Sequence, residues 1–312
     1  MTNRNWGWLL IFVLAARCSG QDSGTYTFLR NDVGARSAAL NGSFVSMTAD
    51  PNTLFYNPAS LVTVSSPKIS LSYFKHFMDV SEGSISFAQN AEGIGNVGIG
   101  IRYVDYGSFT ETDQNLYTLG TFGASEFAIL GGYALSIDEQ TSVGASLEYI
   151  HSSIADFRSS AVAIGVGVLY QVPSENLSIG ASILNLGKQL KAFASSSESL
   201  PLDIKIGITK RPEHLPVLLN LNFHKLNESR DQFFERFRSF TLGAEFLMSE
   251  SIRLRLGYNN EQRSDLKLGT SSGLTGFSLG GGILFREYQI DYAFNSYGKI
   301  GGLHRLSLGM NL

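Results

Sequence analysis

The sequence predicts an all-β chain: a 14-stranded antiparallel transmembrane β-barrel with an N-terminal plug or hatch segment. Three observations carry this expectation. Large apolar and small residues alternate with period two from Lys68 to Leu312. The links between the alternating stretches are short and long by turns. The composition holds 33 Gly, 13 Tyr and 21 Phe but only 16% charged residues in 312 positions. An ordinary soluble domain carries about 25% charge, whereas strands with one lipid-facing side need little.

Residues 1–20 are expected to be an export signal. Arg4 gives a positive start, Trp6–Ala16 is an apolar run, and Cys18-Ser19-Gly20 offers small residues for cleavage before Gln21. That run of eleven is too short for a membrane helix, which needs about 20 residues. Arg17 stands where a lipoprotein site wants a small residue, which argues against a lipid anchor on Cys18. The mature chain is then free of cysteine and of disulfides. Taking Arg4 and Arg17 from 24 basic residues leaves 22 against 27 acidic, a net charge of −5. No basic excess exists to neutralise phosphates, so no nucleic acid is expected as a partner.

Residues 21–67 lack strand periodicity and are expected to form the plug. Ala35–Leu40 and Asp50–Leu54 suggest short turns or helices, separated by Gly42 and Pro58. Phe44, Val45, Phe55, Tyr56 and Leu61 make the segment apolar enough to fold inside something. In Asn57-Pro58-Ala59 the proline sets its own φ and biases Asn57 away from helix. Hydrogen bonds from Asn57, with Phe55 and Tyr56 beside it, are expected to seat the segment.

Residues 68–312 are expected to form the barrel. Strand starts fall near Lys68, Ser81, Asn96, Ser125, Thr141, Ser159, Asn176, Pro201, Pro216, Arg238, Ser251, Gly273, Glu287 and Gly302. An even number of strands, each of about ten residues, suits a bilayer-crossing barrel. Val97, Ile99, Ile101 and Tyr103 alternate with Gly98, Gly100 and Arg102, and Leu306, Leu308 and Met310 with Arg305, Ser307 and Gly309. Such alternation places each set on its own sheet face. Short links at Glu92-Gly93, Asp138–Gln140, Pro173–Glu175, Arg211–Glu213, Ser249-Glu250 and Arg286 alternate with longer ones. The longer links are Gly107–Ala124, His151–Arg158, Gly187–Leu200, Asn227–Phe237 and Asn259–Ser272. Tyr106, Tyr133, Tyr149, Tyr170, Tyr258, Tyr288 and Tyr292 lie where an interfacial aromatic girdle is expected.

The non-apolar face is Gly, Ala and Ser with sparse charges, which fits a narrow, filled lumen that conducts poorly. Glu245 with Arg253 and Arg255 across a short turn, then Asp291 and Arg305, are expected to form a lumen charge network. Asp203 and Lys205 lie on an earlier strand. Gly269–Gly273 matches G-x-S-x-G but lacks the strand-before, helix-after context of a nucleophile elbow. The five histidines show no ligand spacing. No enzyme, metal or cofactor is expected.

Asn57-Pro58-Ala59, ahead of fourteen strands, resembles the hatch of the FadL family of outer-membrane channels. Ala35–Leu40, Phe55–Ala59, Tyr103–Phe109, Leu256–Asn259 and Gly280–Ile283, in that order, are similar to the PorQ-like barrels of type IX secretion in Bacteroidetes. Asn41 departs from the Gly of that pattern, and Leu312 ends the chain where many barrels end in Phe. The resemblance implies a non-catalytic, monomeric barrel in outer-membrane lipid. It would hold an extracellular PorZ-like subunit, with PorU and PorV, while secreted cargo is cleaved and anchored. The alternative is a FadL-type channel for hydrophobic small molecules. Phe233, Phe234 and Phe237, among the charges of the Asn227–Phe237 loop, are the expected partner-binding site, with the Gly107–Ala124 loop next.

Overall fold

Alternation gives each strand one face that water rejects, and the sheet disposes of those faces by closing on itself. The computed structural model describes residues 25–194, 196–228, 233–266 and 273–312. The expected export signal and residues 269–272 lie outside them. The strands are β1 (Lys68–Lys75), β2 (Ser81–Ala91), β3 (Gly95–Thr112), β4 (Thr118–Ser136), β5 (Thr141–Ile154), β6 (Phe157–Val172) and β7 (Leu177–Lys191). They continue as β8 (Asp203–Lys210), β9 (Val217–Phe223), β10 (Phe240–Leu247), β11 (Ile252–Asn259), β12 (Phe277–Phe285), β13 (Tyr288–Ser296) and β14 (Gly302–Asn311). Each is antiparallel to its sequence neighbour, and β1 pairs with β14 from Lys68 opposite Asn311 to Lys75 opposite His304. Closure leaves no edge strand, so the ladder satisfies the wall's backbone groups without water. No helix among the described residues is long and apolar enough to cross a membrane.

The expected strand order and number match the structure, and most starts fall within a few residues of those observed. Two expected loops do not. Most of Gly107–Ala124 is strand, because β3 and β4 run on past their neighbours as a two-stranded hairpin. A register shift between Asp105 and Ser108, with Gly107 at φ 78°, bends that hairpin at its base. His151–Arg158 shrinks to a turn at residues 155–156, with Ala155 at φ 50°. The longer connections still share one end, at residues 192–202, 224–239 and 260–276, which we call the far end. The near end, where β1 starts and β14 stops, has only short turns.

Outside, every strand exposes an Ile or Leu, from Leu71 on β1 through Ile129 on β4 and Ile206 on β8 to Leu308 on β14. Tyr133, Tyr149, Tyr288 and Tyr292 join them on that surface. Tyr106 does not: it shares the parity of Arg102 and Val104, faces inward, and donates to Glu126. Inside lie residues 25–66, made of short 3-10 turns and one helical turn, α1 (Ala35–Ala39). Phe44, Leu54, Tyr56 and Leu61 pack against Ala88, Leu130 and Ala134 of the wall. Near the far end Tyr26, Phe28 and Leu29 pack on Val104, Ala128, Ile150 and Ala161.

The wall receives this segment where its inward side chains are smallest. A Cβ on Gly144 would lie 2.5 Å from the backbone at Pro58 and Ala59. The corresponding atoms on Gly100 and Gly280 would collide with the Phe55 ring and with Ala39. Gly131, by contrast, faces outward and would meet nothing within 4 Å. Overpacking of this kind costs about 1–3 kcal/mol. Gly144→Val should therefore loosen residues 25–66 without opening the barrel. Limited proteolysis should cut the segment faster while the folded barrel keeps its gel mobility, and Gly131→Val should match the parent. Equal cutting of both variants would contradict this contact.

Candidate functional site

Among the described residues, two polar regions of the interior flank the apolar body of the inner segment. The first lies toward the near end and is built around a wall carboxylate. Glu245 on β10 stands opposite Arg255 on β11. Their side chains meet at 2.6 Å, and Arg255 reaches Asp291 on β13, also at 2.6 Å. Arg36, from α1, approaches Glu245 with two nitrogens at 2.9 Å each and Asp50 at 3.2 Å. Two guanidinium groups and three carboxylates thus share one nearly dry site. Removing Arg255 would leave Asp291 buried without its ion-pair partner, a loss of about 3–5 kcal/mol.

Sequence pairing brings Glu245, Arg255 and Asp291 together, but the structure separates two expected members. Arg253 lies at the near-end rim, where its guanidinium donates to the Ser249 carbonyl. Arg305 sits toward the far end, stacked 4.1 Å over the Phe74 ring and 3.3 Å from Asn295 Oδ1. Arg36 takes the vacant role. It was missed because its partner is distant in sequence, and no local spacing links a turn residue to a strand.

Asn57, Pro58 and Ala59 lie against β5 and β6. The Asn57 amide donates to the Val45 and Val168 carbonyls at 3.0 Å each, and its Oδ1 accepts from Ala59 N–H at 3.1 Å. This caps the 3-10 turn Pro58–Thr63 with a proline at its first position. On the opposite wall, Asn295 donates to Ala38 O at 2.8 Å and Ser278 to Ala39 O at 2.7 Å. The segment is therefore held from both sides of the lumen.

The second polar region is a chamber of 380 Å³ toward the far end, lined by Asp32, Asn41, Asp203, Lys205, Thr241, Glu261, Gln262 and Arg305 among others. Asp203 pairs with Lys205 at 3.2 Å and accepts from Lys225 N–H at 2.8 Å. Burial pushes the Asp32 carboxyl up, only partly offset by the charges of Arg305 and Lys205. A short helix, α2 (Asn260–Asp265), borders the chamber, with Asn259 capping it through Gln262 N–H. Its Glu261 contacts His224 at 3.0 Å and Lys225 at 3.1 Å. Among the described residues no cluster of His, Cys, Asp or Glu could hold a metal ion.

On the outer surface of the far end, Phe233–Arg238 forms a 3-10 turn. Phe234 is 79% exposed, and Phe237 packs edge-on against Phe223 at 5.4 Å. The β3–β4 hairpin exposes Leu116 and Tyr117 at its tip, with Phe109 stacked on Phe122 at 5.4 Å below.

No protein-family model matches the chain, and no curated protein does. Among solved structures it is similar to the Ralstonia pickettii toluene transporter TbuX, with TM-score 0.59 and 12% identity over 90% of this chain and 98% of that one. The Pseudomonas putida toluene transporter TodX gives TM-score 0.57 and 12% identity over 89% and 96%. At these identities the likeness is one of fold.

The α2 contacts generate a pH dependence. Burial alone would raise the Glu261 carboxyl, but the hydrogen bond from His224 and the charges of Lys225 and His224 win, holding it at about 2 against an ordinary 4.5. A depressed carboxylate stabilises the fold fully above pH 4.5, and that contribution is lost as pH falls toward 2. The parent's thermal midpoint should therefore drop further between pH 6 and pH 3 than that of Glu261→Gln. Parallel drops would show that the clamp contributes nothing.

Proposed function

We propose that this chain is a gated outer-membrane channel of the FadL type for small molecules, with residues 25–66 as its plug. The observation that carries the reading is how the lumen is filled. The inner segment is tied to the wall through the buried Arg36–Glu245 pair and single polar contacts, a set of discrete links that can be broken and remade. Continuous apolar packing alone would offer no such switch. The band of exposed Ile and Leu around all fourteen strands fits lipid, since a water-soluble surface rarely bears so large an apolar belt. Short turns at the near end fit the periplasmic side, and the longer connections fit the cell exterior. The architecture shared with the toluene transporters supports the channel over a purely structural barrel. Nothing in this role requires catalysis.

In planar bilayers the intact protein should pass little current, because the segment blocks the lumen. Arg36→Ala should raise single-channel conductance several-fold by freeing α1 from Glu245. Large steady currents from the intact protein, or no change in the variant, would sink the plugged-channel reading.

A second reading, a surface scaffold of the PorQ type, is favoured by one observation. Far-end aromatics such as Phe234 and Tyr117 are exposed to water, and such groups dominate protein contact sites. If the barrel holds a PorZ-like subunit there, Phe234→Ser should release it from purified outer membranes while the barrel still assembles. Undiminished co-purification of the subunit would exclude this residue as an anchor.

A further inference from the structure

The far-end chamber has a chemical character of its own. Most of its charges are already matched. Asp203 is held by Lys205, Glu261 by His224 and Lys225, and Arg30 lies 3.2 Å from Glu228 outside the lining. Arg305 is matched most loosely. Its nearest carboxylate, Asp32, stands 3.9 Å away, beyond hydrogen-bond reach. Its side chain is 4% exposed, and its Nε has no hydrogen-bond partner. The Phe74 ring fixes the guanidinium plane from one face at 4.1 Å.

Elsewhere in the same lining, Thr241 on β10 is 3% exposed and its hydroxyl also has no partner. Burying an unsatisfied donor or acceptor is costly, so two in one cavity call for an explanation. Asn41, Asn295 and Gln262 line the same space; their amide nitrogens donate to the Gly276, Ala38 and Ser296 carbonyls, which leaves their oxygens as acceptors. A fixed guanidinium edge recognises a planar, bidentate anion. A hydroxyl and carboxamides recognise groups that both give and accept hydrogen bonds, as alcohols do.

We propose that this chamber binds a small hydroxylated carboxylate, the acid on Arg305 and a hydroxyl on Thr241. The proposal deepens the channel reading and rests on it only for the ligand's passage. The bound molecule is a polar organic acid, unlike the toluene for which the similar transporters are named. Its carboxylate supplies the hydrogen-bonded anion that Asp32, an ion pair at 3.9 Å, does not, and one of its hydroxyls meets the unpartnered Thr241 hydroxyl.

The test is titration calorimetry on the full barrel in detergent, with gluconate as the probe. Glucitol keeps the hydroxyls without the acid, hexanoate keeps the acid without the hydroxyls, and inorganic phosphate offers a different anion. Gluconate should bind one to one and at least about tenfold more tightly than any of the three. Thr241→Val should weaken gluconate about tenfold without lowering the thermal midpoint of the empty barrel. Arg305→Lys, which keeps the charge but loses the fork, should weaken it as well. No heat from gluconate, equal binding of a comparator, or unaltered affinity in Thr241→Val would overturn the proposal. Toluene binding without gluconate binding overturns it while leaving the channel intact. Gluconate binding by a barrel whose conductance ignores Arg36→Ala supports the site and removes the channel.

Discussion

Fourteen strands enclose more space than their own inward side chains fill, and this chain fills it with its own N-terminal segment. The fit depends on a steric constraint: where the segment's backbone meets the wall, the wall gives up its Cβ atoms. Gly144 under Pro58, Gly100 under Phe55 and Gly280 under Ala39 are instances of one rule. The alternation that lets the exterior face lipid thus also sets the depth of the interior. A wall with larger inward residues would still close, but it would exclude the segment. The near-end ion cluster and the far-end chamber both owe their boundaries to the segment lodged between them.

Polar chemistry is sorted by that arrangement. Toward the near end, Arg36 and Arg255 share Glu245 between them and each takes a second carboxylate, Asp50 and Asp291 respectively. Toward the far end, the segment leaves the wall and a cavity remains, with Arg305 imperfectly matched. The same barrel therefore carries a buried ionic tie at one end and an unsatisfied polar space at the other. Arg102 shows an intermediate case, donating to the Leu29 carbonyl at 2.9 Å while stacked 4.8 Å over Phe55. There the wall holds the segment by its backbone rather than by a charge.

Much of the wall was legible because strand periodicity is local. The start at Lys68, the turn at Ser249-Glu250 and the pairing of Glu245 with Arg255 all follow from alternation and link length. Features that depend on long-range contacts were not. Arg36 carries no mark in the sequence that it will meet Glu245, and Arg305 shares its inward parity with Ser307 without revealing its height in the lumen. Arg253 has the right parity but sits one pair nearer the rim, where the Ser249 carbonyl takes it first. The β3–β4 hairpin reads as loop in the sequence because its polar, glycine-punctuated residues lose the apolar alternation once it rises above its neighbours.

The inner segment's contacts also bear on assembly. It is joined covalently to β1 through Pro67, yet it bonds to the last strands of the chain: Ala35 to Ser307, Ala38 to Asn295 and Ala39 to Ser278. The seam between β1 and β14 unites residues from opposite ends of the barrel sequence, the pairing with the greatest chain-closure entropy. A segment that carries one seam partner and grips the other side lowers that entropy by holding both within reach. The segment that fills the lumen thus also bridges the seam, tying the strand that follows it to the strands that close the cylinder.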